Sequence, residues 1–415
     1  MIPHLFRNRD FALYWGGATV SLLGDGVYFV AIAWQVYALS NKPSALAVVG
    51  IAWTLPQLAS VLFAGAISDR FERRRVMIGA NLASGVVIGT IAALSLAGSL
   101  RLWELWILVA VYGVAVALFI PASSAFVPEI VPPDQLVEAN ALRQFIRPFA
   151  LRLAGPALGG ALVALLGLGE AFLLDSLSFF VSVVLFNLIR RSAAERARPE
   201  ETSFSEEVLD GLRFIRSASW LWISLTAAAA WLLLYVGPLE VLLPYLVKNK
   251  IGAGARGLGF VFAAGGLGAM AFSYVVTRTG VPRRALVFMY AAWSLCTFAL
   301  GMFGLAGSLW QAMLASFAFF GLANTGEIVW QTTLQRRVPN ELLGRVASVD
   351  WLVSAGLVPI SFLITAPIAG SVGADTTMLG AGIVGGVLLA AVIALPPMWA
   401  VAVDQVKDVG RLAAT

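Results

Sequence analysis

Ionisable side chains inside long apolar stretches are the residues of this sequence that could do chemistry. Asp25 lies between Gly24 and Gly26 in "SLLGDGVYFVAIAW", Arg152 lies in "FALRLAGPALGG", and Glu327 lies in "FGLANTGEIVW". A charge inside a bilayer is costly unless it faces a cavity or a partner. A carboxylate in a half-dry cavity can bind a proton on one side of a membrane and release it on the other. We therefore interpret Asp25, Arg152 and Glu327 as candidates for proton coupling.

The alternative interpretation of Asp25 is a fixed counter-charge to Arg152. Asp175 and Glu240 lie near the outer ends of their apolar stretches, where we expect solvated helix ends.

The one cysteine, Cys296, and the one histidine, His4, are far apart in sequence and offer no disulfide framework or His/Cys metal site. We expect no cofactor.

The composition determines the class of protein. Of the 415 residues, 60% are hydrophobic and 12% are charged, whereas a soluble domain has about 25% charged residues. Apolar runs of about 20 residues, enough to cross about 30 Å of hydrocarbon as a helix, recur along the chain. Because backbone polar groups in lipid must bond internally, such runs form helices. We predict an all-α integral membrane protein with twelve spans, at 11–39, 44–67, 76–98, 102–126, 142–166, 170–190, 220–247, 257–277, 285–305, 309–334, 343–370 and 376–400.

The distribution of Lys and Arg predicts the orientation of these spans. With a cytoplasmic N-terminus, the inner segments hold 22 of the 28 basic residues and the outer segments hold 5, while Arg152 lies within a span. Basic residues are retained on the cytoplasmic side. Both termini are therefore expected in the cytoplasm of a cell-membrane protein, and the net charge of +5 follows from this topology and does not indicate a nucleic-acid partner.

The chain divides into two similar halves. A polar segment at 191–219 separates a six-helix bundle at 1–190 from a second bundle at 220–415, and it reads as a cytoplasmic linker with a short surface helix. "VPPDQLVEANAL" begins at Val131 and "VPNELLGRVASV" begins at Val338, and their positions differ by 207 residues, half the chain. This repeat predicts an internal duplication, which is a recurring plan of transporters.

The loop between spans two and three, "GAISDRFERRR", carries the most specific motif. Its Gly-x-x-x-Asp-Arg followed by Arg-Arg resembles the signature loop of the major facilitator superfamily. The match consists of Gly65, Asp69, Arg70, Arg73 and Arg74. Twelve spans, a central linker and a half-repeat are also similar to that superfamily, which implies a transporter with two pseudo-symmetric six-helix halves.

The resemblance also implies a role for this loop, as a latch that closes the cytoplasmic side when the transporter faces outward. Asp69 would lie against the N-terminal end of span eleven, and the arginines would bond helix-end carbonyls or acids such as Glu129 and Asp134. The corresponding loop of the second half, "TRTGVPRRAL", has no Asp, so the latch is expected on one side only.

Span five contains "GPALGG", which resembles the end of a signature of drug/proton antiporters in the superfamily. The matching residues are Gly155, Pro156, Gly159 and Gly160. Tight helix packing is the alternative explanation, because small residues let helices approach closely. "SLLGDGVYFVAIAWQVYAL", "VPPDQLVEANALRQF" and "EEVLDGLRFIR" resemble a branch that contains enterobactin-type siderophore exporters and macrolide or multidrug efflux proteins.

These resemblances imply proton-driven export of a small amphipathic organic molecule by a monomeric protein in the bilayer. A lipid flippase of the same fold, carrying for example lysophospholipid, is the alternative. The sequence contains no Gly-x-x-x-x-Gly-Lys-Ser/Thr loop for an ATP-driven pump and no acid or histidine cluster typical of a membrane enzyme. Apolar and aromatic residues are expected to line the cavity; the candidates are Trp34, Trp53, Trp231, Tyr235 and Trp330.

Overall fold

A computed structural model describes residues 5–190 and 212–400 of the chain. Within these ranges, twelve helices are long and apolar enough to cross a membrane, and there is no β-strand. The six helices of the first half are α1 (Arg9–Leu39), α2 (Pro43–Arg70), α3 (Arg73–Leu96), α4 (Leu102–Ile130), α5 (Leu136–Pro148, Phe149–Ala154 and Gly155–Leu165) and α6 (Leu168–Asn187). The predicted number of spans is confirmed.

The second half repeats this arrangement. Its helices are α7 (Ser219–Gly237, Pro238–Leu242 and Leu243–Asn249), α8 (Ala255–Thr279), α9 (Ala285–Leu305), α10 (Leu309–Arg337), α11 (Asn340–Val372), α12 (Ala374–Ile393) and the short α13 (Pro396–Ala400). The predicted span at 376–400 is too long at its C-terminal end, because the chain there contains Pro396 and Pro397, which cannot continue a helix. Trp399 Nε1 instead donates a hydrogen bond to Ile393 O (2.6 Å) and satisfies one of the open carbonyls of α12.

The chain forms two compact units. The first comprises Met1–Ala197 with Val247–Ala263, and the second comprises Arg198–Leu246 with Ala264–Thr415. The predicted bundles at 1–190 and 220–415 differ from these units in one respect, since 247–263 belongs to the first unit. Of the predicted linker, residues 191–211 lie outside the described ranges, and 212–217 are helical.

The segment at 247–263 joins the first unit through hydrogen bonds and close backbone packing. Lys248 Nζ donates to Tyr37 O (2.5 Å). Asn249 exchanges side-chain hydrogen bonds with Asn41, at 2.7 and 3.2 Å. Gly259 packs against Gly160 of α5.

The internal repeat of the sequence is also present in the bounds of the helices. The helix α4 runs from 102 to 130 and α10 from 309 to 337; 309 minus 102 and 337 minus 130 both give 207. The helices of the two halves also have corresponding neighbours. In the first half α3 packs on α4 and α6, and in the second half α9 packs on α10 and α12. Likewise α1 packs on α5 and α6, and α7 packs on α11 and α12. The offset of the sequence repeat is therefore the offset of the fold.

Two helices contain a π-helical turn, at 149–154 in α5 and at 238–242 in α7. In α5 the turn follows Pro148, and the N–H of Gly155 donates to Ala150 O, one residue further back than in an α-helix. Proline removes a backbone donor from a helix interior, so such turns occur beside it. In α7, the hydroxyl of Ser361 in α11 bonds backbone groups beside the π turn: it accepts a hydrogen bond from Gly237 N and donates one to Leu233 O, both at 2.8 Å.

Candidate functional site

The helices of the first unit surround a cavity of about 450 Å³. Each of α1 to α6 contributes side chains to it, and the walls combine aromatic rings with a few polar and charged groups. Its aromatic residues are Tyr14, Trp15, Tyr28, Phe29, Trp53, Tyr112, Phe119 and Phe179. Concave sites of this size with few polar groups are typical of small-molecule binding.

One sequence-predicted acid, Asp25, lines this cavity. The side chain is partly exposed there, and Tyr112 Oη of α4 donates a hydrogen bond to Asp25 Oδ1. Tyr28, one turn further along α1, packs on Tyr112 with 5.1 Å between ring centroids. Tyr112 therefore holds the carboxylate in one orientation at the cavity wall, a partner that the sequence analysis did not identify, since a tyrosine in an apolar run carries no distinguishing signal.

The two glycines beside Asp25 allow close packing on opposite sides of α1. A Cβ at Gly24 would overlap Asp175 Oδ1 and Ser178 Oγ of α6, and a Cβ at Gly26 would overlap Ala150 O and approach Gly155 of α5. Because both neighbours are so close, α1 is tightly held at this level.

The expectation that Asp175 is a solvated helix-end acid is wrong. Its side chain is 1% exposed and lies close enough to Asp25 for electrostatic interaction. Ser178 Oγ donates to its Oδ1 at 3.5 Å. The sequence placed Asp175 near the end of a span, but its burial depends on Gly24 of a different helix, which lets α6 approach. Glu240, the other acid of that kind, is exposed.

Two arginines of α5 line the same cavity. Arg143 Nη2 donates to Ser124 Oγ of α4 (3.2 Å), and Arg147 is exposed and close enough to Asp25 to interact with it electrostatically. From the sequence, both belong to the 22 basic residues of the inner segments. A signal was present, because the polar residues Asn140, Arg143, Gln144 and Arg147 recur at helical spacing on one face of α5, and all four line the cavity.

The other candidates for proton coupling lie elsewhere. Arg152 is exposed, lies within the π turn at 149–154, and does not line the cavity that holds Asp25. The structure therefore does not bring Arg152 and Asp25 together at this wall. Glu327, in α10 of the second unit, is exposed and accepts from Gln331 Nε2 at 2.9 Å.

The aromatic candidates separate into lining and packing residues. Trp53 lines the cavity of the first unit, whereas Trp34 does not. In the second unit, Trp231 is 6% exposed, stacks on Tyr235 and Trp293, and donates to Thr297 Oγ1 (2.7 Å).

Trp330 of the second unit is likewise a packing residue. It is 4% exposed, and its Nε1 donates to Asp350 Oδ2 at 3.2 Å. Burial and hydrogen bonding thus place Trp231 and Trp330 in the packed interior of their unit.

The arginine-rich loop lies between the C-terminal end of α2, at Arg70, and the start of α3 at Arg73. Arg73 Nη1 donates to Ala125 O and to Glu129 Oε1, both at 2.9 Å. Arg70 is exposed, and a Cβ at Gly65 would meet open space. The side chain of Asp69 lies outside the described part of the structure.

The next arginine of the loop ties α3 to α6. Arg74 donates to Phe186 O and Asn187 O, both at 2.8 Å. The contacts that Arg73 and Arg74 make, with helix-end carbonyls and with Glu129, are those expected from the sequence. They join the ends of α4 and α6 to the start of α3 within the first unit.

The "GPALGG" segment of α5 is a packing surface. A Cβ at Gly155 would overlap the backbone of Gly26, one at Gly159 would meet Val27, and one at Gly160 would meet Gly259. These glycines therefore hold α5 against α1 and against the segment at 247–263.

A metal centre is not indicated at this site. In the described ranges, no group of three His, Cys, Asp or Glu side chains could hold a metal ion. What the site offers is a carboxylate that can bind a proton or a cation, two guanidiniums that can bind an anion, and an aromatic wall.

The comparison with known families gives the context for this geometry. Residues 4–410 match the model of a family described as transmembrane secretion effector. The chain belongs to this family. Because its relatives are transporters of the major facilitator type, the fold resemblance seen in the signature loop is confirmed, and the protein is a multi-pass membrane transporter and not an enzyme.

Several transporters align over most of the chain. An uncharacterised transporter of the major facilitator type, YfiS of Bacillus subtilis, is 26% identical over 82% of this chain and 82% of its own length. Macrolide efflux protein A of Streptococcus pyogenes is 22% identical over 91% of this chain and 94% of its own. The multidrug efflux pump Tap of Mycolicibacterium fortuitum is 26% identical over 86% of this chain and 88% of its own.

A solved structure supports the fold alone. A crystal structure of a mutant of the nucleoside transporter NupG superimposes with a TM-score of 0.72 at 11% identity, covering 93% of this chain and 99% of that one. The fold prediction, twelve helices in two similar halves, is confirmed.

Proposed function

We propose that this protein is a secondary active exporter of small amphipathic organic molecules, driven by proton antiport through alternating access. The observation that carries the proposal is Asp25, a carboxylate at membrane depth that faces a cavity with aromatic walls. The efflux relatives named above support the direction of transport. A cell-membrane location, cytoplasmic termini and a monomeric state belong to the same proposal.

The cavity supports an amphipathic substrate. Rings such as Phe29, Trp53 and Phe119 offer apolar surface, and Asn140 and Gln144 offer amide groups. Flat aromatic walls tolerate bulky bodies of different shape, while a few polar groups orient them.

Asp25 supplies the proposed coupling. A carboxylate accepts a hydrogen bond from Tyr112 Oη when ionised, and it can take up a proton when the cavity is open to an acidic compartment. A protonated Asp25 loses its attraction for a cation and part of its interaction with Arg147. Proton binding and substrate binding therefore compete at one wall, which is what antiport requires. Glu327, exposed in α10, is not assigned a coupling role.

The arginine-rich loop is proposed as the latch of the cycle. Arg73 and Arg74 hold the ends of α4 and α6 to the start of α3, so these three helices move together at that end. Rigid units are a requirement of alternating access, in which whole bundles rock around a fixed site.

The test is uphill export by purified full-length protein in proteoliposomes. Asp25→Asn keeps the size of the side chain but cannot titrate. We expect it to abolish accumulation of a cationic dye driven by an imposed proton gradient, while dye binding stays measurable. Glu240→Gln, at an exposed acid of α7 outside the cavity, is the control and should transport normally.

The same variant separates coupling from a structural counter-charge. If Asp25 serves only to neutralise Arg147, Asp25→Asn lowers thermal stability and Asp25→Asn with Arg147→Gln restores it, because removing one partner leaves the other charge unpaired. Full proton-driven export by Asp25→Asn would exclude the coupling role.

A further inference from the structure

The charged groups of the first-unit cavity lie at two different levels. Tyr14 Oη bonds Ser123 Oγ (2.8 Å), and the neighbouring Ser124 accepts from Arg143 (3.2 Å), so Arg143 lies at the level of Tyr14. Asp25 is 11 residues beyond Tyr14 in the same helix, or about 16 Å along its axis at about 1.5 Å per residue.

Arg147 lies between these levels. It follows Arg143 by one turn of α5, about 6 Å along the helix axis. Its positive charge interacts electrostatically with Asp25. No salt bridge joins Arg143 or Arg147 to an acid in the described ranges. The cavity therefore has a guanidinium end, formed by Arg143 and Arg147, and a carboxylate end, formed by Asp25.

The wall between the two ends is aromatic. Trp15 lies one residue from Tyr14, Phe119 lies one turn before Ser123, and Phe29 lies one turn beyond Asp25, and all of them line the cavity. Asn140 and Gln144 add amide groups on the face of α5 that carries the arginines. Guanidinium groups bind carboxylates and phosphates through paired, charge-assisted hydrogen bonds.

We propose that the guanidinium end, Arg143 and Arg147, binds an anionic group of the transported molecule. The substrate class is then an amphipathic zwitterion with a carboxylate or phosphate at one end and a cationic, ring-sized body that lies on the aromatic wall toward Asp25, where its positive charge competes with the proton. This inference rests on the proposed function, because it takes the cavity as the substrate site. It excludes purely cationic compounds as the preferred class.

A matched pair of dyes tests the anionic requirement. A rhodamine with a free benzoate and the methyl ester of the same rhodamine share ring system and cationic charge but differ in the carboxylate. Binding to the purified full-length protein in neutral maltoside detergent is followed by fluorescence polarisation. We expect the free acid to bind about tenfold more tightly than the ester, the usual scale for one charge-assisted pair.

Variants identify the residues responsible. Arg143→Gln with Arg147→Gln should bring the two dyes to equal affinity while leaving the ester within about twofold of wild type. Lysine at both positions should retain part of the preference, since the charge remains. Arg152→Gln, an exposed arginine of the same helix outside the cavity, is the matched control and should keep the full preference.

A lipid arm distinguishes the source of the anion. Lysophosphatidic acid and a monoacylglycerol of equal chain length are compared as competitors of the free-acid dye. If lysophosphatidic acid displaces the dye more strongly than the monoacylglycerol, the site accepts the phosphate of a lipid headgroup. If neither lipid displaces the dye, the site binds free organic anions and not lipids.

Equal affinity of the two dyes for wild-type protein would overturn the inference, and so would an equal loss of preference in Arg152→Gln. Neither result touches the proposed export function, which is measured with the ester dye under a proton gradient. Conversely, loss of uphill export in every assay with the carboxylate preference intact would refute the function and leave the anion site standing.

Discussion

The fourth helix of each half shows how the two halves have diverged. Tyr112 of α4 donates to Asp25, and the position 207 residues later in α10 is Phe319. Phe319 is 2% exposed and packs on Tyr235, with 5.8 Å between ring centroids. The aromatic ring is common to both halves, but only the first half has the hydroxyl and a carboxylate for it.

The fifth helix shows the same divergence in charge. Arg143 of α5 corresponds by the same offset to Asp350 of α11. Asp350 accepts from Trp330 Nε1 (3.2 Å), whereas Arg143 faces the cavity. A duplicated bundle has thus kept its helix neighbours while the first copy places ionisable groups around a cavity and the second stacks Trp231 on Tyr235 and Trp293.

The difference between packing and lining tryptophans should give the largest effect. Trp231→Ala removes a buried ring, its stacking contacts and its hydrogen bond to Thr297. We therefore expect the free energy of unfolding to fall by about 3–5 kcal/mol. Trp53→Ala, at the cavity wall, should lose less than half of that and instead weaken dye binding. Thermal unfolding in detergent and dye polarisation measure the two effects. A stable Trp231→Ala protein would break the comparison.

Disturbing the close contact between α1 and α6 in the first half should give the second-largest loss of stability. The Cβ of Gly24→Ala would overlap Asp175 and Ser178, and overpacking of this kind costs about 1–3 kcal/mol. Gly65→Ala, whose Cβ meets open space, should be as stable as wild type or slightly more stable. The midpoint of thermal unfolding distinguishes them, and equal loss in both variants would contradict the packing assignment.

Exchanging the fourth-helix residues sharpens the comparison directly. Tyr112→Phe removes one hydrogen bond, so we expect a stability loss of about 1 kcal/mol and weaker proton-driven export, because Asp25 loses its orienting donor. Phe319→Tyr adds a hydroxyl to an apolar site and should lower stability without changing the proton dependence of export. Transport by proteoliposomes at several imposed pH gradients is the measurement. Unchanged export by Tyr112→Phe would remove Tyr112 from the coupling site.

The ion pair of the arginine-rich loop should give the smallest effect. Arg73 and Glu129 are partly exposed, at 24% and 17%, so their mutual interaction is expected to be about 0.2–1 kcal/mol. A double-mutant cycle with Arg73→Gln and Glu129→Gln isolates it, measured by thermal unfolding. An interaction energy of several kcal/mol would show that this loop stabilises the fold more than a breakable latch can.

The sequence predicted the fold because long apolar runs are a strong and local signal. The twelve spans follow from patterns within short stretches, the repeat follows from two such stretches 207 residues apart, and the contacts of Arg73 with a helix end are what the resemblance of its loop implies. Asp25 was found for the same reason, since a carboxylate flanked by apolar residues stands out in its own helix.

The rest of the site depends on which helix faces are neighbours, and no single stretch contains that information. Tyr112 became a partner of Asp25 only through the packing of α4 beside α1, and Asp175 became buried through Gly24. Arg152 was named from its depth along the span, without the rotational position of its side chain, which lies within the π turn.

That π turn has a consequence for the rotational phase of α5. A π turn contains one residue more than an α turn, and one residue rotates an α-helix by about 100°. The wider turn at 149–154 takes up this additional residue, so Arg143 and Arg147 keep the phase that an uninterrupted α-helix would give them relative to Gly155 and Gly159, which fix the later segment against α1. Deleting one residue within the turn would therefore restore an α turn and leave both guanidiniums facing the cavity, whereas an additional residue in α-helical geometry would turn them by about 100°. Among relatives of this chain, this turn is thus a place where one residue can be lost without a change in ligand selection.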